Sequence, residues 1–82
     1  MTDETRLYKM LSQYTYILSA VEKDYKPFVP KEIEQQIAQV YSKVYPNNNL
    51  RDWSCPACCL HNWRLFNKFY KNYNKSNEKD KP

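Results

Sequence analysis

A chain of 82 residues with five prolines, three cysteines and no glycine is short enough that it buries only a little over half of the surface it exposes when unfolded, which leaves room for one domain and one core. No run of about eighteen apolar residues is present, and the opening MTDETRLYKM is acidic and polar, without the basic stretch and short apolar run of a secretory signal; a membrane span is argued against and a soluble, intracellular chain expected. The formal net charge of +4 sits wholly in residues 51–82, which hold seven basic and three acidic side chains, whereas residues 1–50 hold six of each. An asymmetry of this kind points to a partner with an acidic surface, protein or nucleic acid.

Eight Tyr, three Phe and two Trp offset the small size, because each ring buries a large area. The odd number of cysteines, with no second spaced pair, argues against a secreted disulfide framework and for a reducing compartment. The lack of glycine predicts helices separated by polar breaks, since hairpin turns usually need glycine at positive φ; the run Asn47 to Asn49 is the segment expected to take that role.

From Leu7 the apolar residues recur as Leu7, Leu11, Tyr14, Leu18, Val21 and Tyr25, widened by Met10 and Ile17, which keeps one stripe on one face of a helix. Thr2 suits the N-cap, Asp3 and Glu4 suit the first turn, and Pro27 ends the pattern because it pushes Lys26 out of the α region. A first helix of about 3–25 is predicted. Its regular heptads fit packing within the chain and, alternatively, a homodimer through this helix.

Phe28 and Val29 form a short apolar connector, and Pro30 suits the first position of a second helix. Ile33, Ile37, Val40 and Val44 repeat at helical spacing until Pro46, which predicts a second helix of about 30–45. Residues 46–54 read as a loop in which Leu50 and Trp53 are apolar enough to plug the end of the core. Pro56 then opens a third helix of about 55–73. One face of it carries Cys59, Asn62, Trp63, Phe66, Phe69, Tyr70 and Tyr73; the opposite face carries His61, Arg64, Lys68, Lys71 and Lys75. The predicted fold is therefore all-α, a small three-helix bundle or open three-helix arrangement over residues 1–73. Residues 74–82 (NKSNEKDKP) hold nothing apolar to bury and are expected to form a disordered basic tail.

The stretch Asp52 to Tyr73 concentrates the candidate chemistry. Cys55-Pro-Ala-Cys58 is a Cys-x-x-Cys at a helix start, where the helix dipole favours a thiolate. Thioredoxin-class and glutaredoxin sites share that spacing, but no strand pattern precedes it here. Zinc is a second reading: Cys55 and Cys58 with His61 or Cys59 give three ligands where a structural site wants four. Asp52 or a second chain would have to supply the fourth. The plainer account of the cysteines is as compact side chains that let a helix end approach its neighbours. Cys59, on the core face, suits that account best, and no cofactor is the leading expectation.

The basic series His61, Arg64, Lys68, Lys71 and Lys75 is the candidate binding face, suited to an acidic protein surface or to phosphates. The nine-residue link before it is longer than the tight turn of a helix-turn-helix. A lone histidine without a phosphate loop, nucleophile elbow or carboxylate pair makes no catalytic constellation, so a non-enzymatic protein is expected.

Residues 37–73 consist of a helix ending in Val44 and Tyr45, a polar turn, and a Cys-x-x-Cys opening a helix rich in aromatic and basic residues. They resemble small uncharacterised proteins of Bacteroidetes-infecting, crAss-like phages, with the typical turn glycine replaced by the Asn run. The resemblance implies a phage setting, and so an accessory or structural protein in the host cytoplasm or the virion. It names no activity.

Overall fold

The computed structural model describes residues 2–79 of the chain, and side chains as far as residue 75. It is all-helical, with the order α1 Asp3–Ser12, α2 Thr15–Glu22, α3 Lys31–Val44 and α4 Pro56–Lys79.

Helix α1 starts as its residues dictate. The Thr2 hydroxyl accepts the Thr5 N–H at 3.1 Å, and Asp3 and Glu4 occupy the first turn. The expected continuous helix over 3–25 does not form, however, because the chain breaks at Gln13 and Tyr14. Their N–H groups turn to carbonyls three residues back, Met10 at 3.3 Å and Leu11 at 2.9 Å, and Tyr14 leaves the helical region at φ −124° and ψ 33°. The local sequence explains the site of the break: Ser12, Tyr14 and Thr15 are poor helix formers, and the Ser12 hydroxyl bonds back to the Lys9 carbonyl at 2.8 Å. The break redirects the second half of the stripe. α1 packs on α3 and α4, whereas α2 packs on α4.

Leu7, Leu11, Ile17, Leu18 and Val21 are all buried as a result. That stripe packs inside the chain, the first of the two arrangements that its heptads fit. Tyr25 falls beyond the end of α2 and is exposed instead of completing the stripe.

The end of α2 is closed by two hydrogen bonds, Tyr25 N–H to Ala20 O at 3.1 Å and Asp24 N–H to Val21 O at 3.0 Å, with Asp24 at φ 61°. This is a Schellman closure in which aspartate occupies the left-handed position usually given to glycine. Among the described residues Asp24 is the one with positive φ, so this role belongs to Asp24 and not to the Asn47–Asn49 run. The connector that follows divides: Val29 is buried in the core, whereas Phe28 is 87% exposed. Pro30 caps α3 from just outside, its carbonyl accepting from Ile33 and Glu34 at 3.1 and 3.3 Å.

α3 buries Ile37, Val40 and Tyr41, and Leu50 and Trp53 of the following loop pack against the core as their character demands. α4 is the longest element and buries Cys59, Asn62, Trp63, Phe66 and Phe69 along one face. It runs to Lys79 and not to 73, because neither glycine nor proline interrupts residues 57–81 and because Tyr8 donates to Asn74 Oδ1 at 2.6 Å. Of the expected disordered tail over 74–82, residues 74–79 therefore have helical backbone and 80–82 lie outside the described residues.

Among the described residues one charged side chain lies in the core. Glu34 of α3 is 3% exposed, accepts the indole N–H of buried Trp63 at 2.7 Å and pairs with the Lys26 ammonium at 3.2 Å. Removing one partner of such a pair strands a charge and costs about 3–5 kcal/mol, whereas neutralising both costs far less. Urea unfolding should accordingly show Lys26→Met destabilised by about 3 kcal/mol. Adding Glu34→Gln to that variant should restore about 1–3 kcal/mol, and the Glu34→Gln single variant completes the double-mutant cycle that gives the coupling.

Candidate functional site

With its aromatic face held in the core, α4 presents the opposite face outward. Arg64, Lys68, Lys71 and Lys75 are exposed on it, and His61 is half-buried near its N-terminal end. The helix thus brings the five expected binding residues to one side, but two of them have partners within the chain. Arg64 pairs with Asp24, and Lys71 pairs with Glu22, whose Oε1 also accepts Asn67 Nδ2 at 3.1 Å. Hydrogen bonding to Lys71 and Asn67 holds the Glu22 carboxyl below its ordinary range.

Both acids sit at the α2 terminus that the Schellman closure aims at α4, and sequence periodicity alone did not place them there. Both pairs are solvent-exposed, with the Arg64 and Asp24 side chains 53% and 75% accessible. Pairs of this kind are worth at most about 1 kcal/mol and exchange readily. Lys68 instead borders a shallow groove of about 270 Å³ formed with Tyr45, Asn48, Leu65 and Asn72.

A second basic feature was missed. Lys43 and Arg51 flank a shallow groove of about 560 Å³ between α3 and the following loop, floored by Leu50 and Trp53. Its sequence signal is a pair of apolar residues within a polar loop, Leu50 and Trp53, which pack against the core and also line the groove.

The cysteines separate into two kinds. Cys59 is buried; its thiol donates to the Trp53 carbonyl at 3.0 Å, and burial pushes its pKa up. Cys55 and Cys58 are half-buried free thiols. Cys55 lies just before the first helical residue, and its carbonyl accepts the Cys59 N–H at 2.9 Å. The neighbouring Cys58 thiol, then the backbone N–H groups of Cys58 and Ala57, hold the Cys55 thiol below its ordinary range. The proximity of Cys55, with desolvation, pushes the Cys58 thiol up.

The surrounding loop is fixed by Asn62, fully buried, which accepts the Arg51 N–H at 2.9 Å and donates to the Arg51 carbonyl at 2.8 Å. Asp52, considered as an oxygen ligand, is occupied locally: it accepts the Ser54 N–H at 3.2 Å and the Ser54 hydroxyl at 2.8 Å. Among the described residues no three His, Cys, Asp or Glu side chains converge on one point. Cys55, Cys58 and His61 therefore do not come together as the three-ligand zinc set expected of them; His61 stays with the basic face.

Among the described residues no helix is long and apolar enough to cross a membrane. Comparison with protein-family models, with curated proteins and with solved structures gives no match to this chain.

Two measurements test this geometry. Asn62→Ala leaves both polar groups of Arg51 without their partner and should cost about 1–3 kcal/mol, with faster hydrogen exchange at the Arg51 amide as the local signature. The Glu22 carboxyl has a folded-state pKa below its unfolded value, so its stabilising effect is present above the unfolded pKa and is lost as pH falls through the folded one. Thermal unfolding followed against pH should show Glu22→Gln less stable than the native chain at neutrality, with the two curves converging in acid.

Proposed function

We propose that this chain is a small non-enzymatic binding protein, of the phage accessory or structural kind that its resemblance implies, and that it docks on an acidic surface of another protein through the outer face of α4. The contact residues are His61, Arg64, Lys68, Lys71 and Lys75. The scaffold reads as a three-helix bundle whose first member is bent into α1 and α2. An intracellular or virion-associated location belongs to the same reading.

The observation that carries it is the occupation of this face by carboxylates from within the chain. Asp24 and Glu22 lie on Arg64 and Lys71, so the face already accepts acidic side chains. Because exposed pairs are individually weak, a partner presenting several carboxylates along the helix displaces them at little cost. From Arg64 to Lys75 the row extends about 16 Å, at 1.5 Å of rise per residue. A face of that length on a rigid helix spans one turn-by-turn contact with a partner helix or an acidic loop.

The alternative is a helical module that binds nucleic acid, since the same cations suit phosphates. The carboxylate occupancy favours protein.

The triple variant Arg64→Gln, Lys68→Gln, Lys71→Gln decides between them. It should lose at least about tenfold in affinity for the partner captured from host lysate, while its melting temperature stays within a few degrees of the parent because only exposed pairs are removed. A salt-sensitive shift of labelled duplex DNA by the parent, abolished in the variant, would move the assignment to nucleic acid. Unchanged capture by the variant would remove the outer face from consideration.

A further inference from the structure

The groove between α3 and the loop before α4 shares no residue with the docking face on α4. We propose that this groove is a second binding site, for a short acidic peptide segment of a partner protein that seats one apolar side chain between carboxylates.

The floor follows from two residues of the loop. Leu50 and Trp53 are half-buried; each packs on the core and leaves part of its surface at the bottom of the groove. The Trp53 ring lies against Phe66, with centroids 6.1 Å apart, and is thereby supported from the core side. On α3, Ala38 and Ser42 are one turn apart, and their small side chains leave the space open, while the longer Gln39 and Lys43 line the same side. The resulting volume is about 560 Å³, within the range of sites that take a small ligand or a few side chains.

The loop is fixed before anything binds. Buried Asn62 holds both the N–H and the carbonyl of Arg51, at 2.9 and 2.8 Å, and the Cys59 thiol donates to the Trp53 carbonyl at 3.0 Å. Three hydrogen bonds from α4 therefore pin the backbone on either side of Asp52. A surface held in this way loses little freedom on association, which favours binding.

Charge complementarity identifies the occupant. Lys43 and Arg51 are exposed, and among the described residues neither forms an ion pair, in contrast to Arg64 and Lys71. Asp52, next to Arg51, is engaged by Ser54, and Asp3 and Glu4 border a separate depression with Lys43. Two cations beside an apolar floor, with the Gln39 amide and the Ser42 hydroxyl as neutral hydrogen-bonding groups, match carboxylates, an apolar side chain and peptide backbone. A nucleic-acid strand fits less well, because such strands are held by successive bases stacked on aromatic side chains and this groove offers one ring, already packed on Phe66.

The test titrates the isotope-labelled full chain with the acetylated and amidated peptide Glu-Glu-Phe-Glu-Glu at low salt, following backbone and indole N–H resonances. Saturable shifts should appear at the Ser42, Lys43 and Arg51 amides and at the Trp53 indole. Exchanging the peptide's Phe for Ser should weaken binding at least about fivefold, since the floor is then left uncovered. Combining Lys43→Gln with Arg51→Gln should weaken it about tenfold, and an unmoved Trp63 indole resonance checks that this variant folds. The Arg64→Gln, Lys68→Gln, Lys71→Gln variant should bind the peptide as the native chain does, so failure of the groove and failure of the α4 face are read separately. Shifts confined to residues 61–75, equal affinity for the Ser peptide, undiminished binding by the double variant, tighter binding of oligothymidylate in the groove, or no saturation at millimolar peptide would overturn the proposal.

Discussion

The buried Glu34 carboxylate is the interaction on which the arrangement of this molecule most depends. It receives Trp63 of α4 and Lys26 of the connector after α2, so one acidic group joins three separate segments. Its effect is directional as well as energetic. A hydrophobic contact tolerates sliding and rotation, but an indole N–H aimed at a carboxylate oxygen fixes the rotation of α4 about its own axis. With that rotation set, Phe66 meets Tyr41 at 5.2 Å and Phe69 meets Tyr45 at 6.1 Å between ring centroids. The basic residues must then face outward. Among the described residues no buried side-chain nitrogen or oxygen lacks a partner, so the polar group in the core specifies the packing without leaving a desolvated atom unpaired.

A second set of rings closes the other end. Tyr8 of α1 lies between Tyr70 and Tyr73 of α4, with centroid separations of 4.9 and 4.6 Å, and the Thr5 and Tyr73 hydroxyls meet at 3.1 Å. Burial and the neighbouring Tyr70 hydroxyl raise the pKa of Tyr8, so the phenol stays neutral and serves as a hydrogen-bond donor to Asn74. A chain this short gains cohesion from a few large side chains that combine ring contact with a polar tip.

The helical class, the inner faces of α3 and α4 and the distinction between Cys59 and the other two cysteines were legible, because each follows from a period or from a proline position. The break at Gln13 and Tyr14 was not, since the 4-3-4-3-4 spacing continues across it and periodicity reports faces, not continuity. Glu34 was missed for a different reason. It lies one turn before Ile37 and two before Tyr41 on the buried side, but a charged residue is normally read as solvated, and only tertiary structure supplies the indole and ammonium that make its burial tolerable. The pairing of Asp24 and Glu22 with the basic face depends in turn on a left-handed aspartate at the end of α2. Nothing in the local sequence marks Asp24 for that conformation in preference to the Asn run.

The length of α4 separates the two surfaces with distinct chemistry. About 30 Å of helix, at 1.5 Å per residue, lies between Cys55 and Lys75 in a molecule whose longest dimension is 43 Å. The thiol pair and the far end of the cationic row are therefore too far apart to share a ligand or to alter one another's charge through salt-containing solvent.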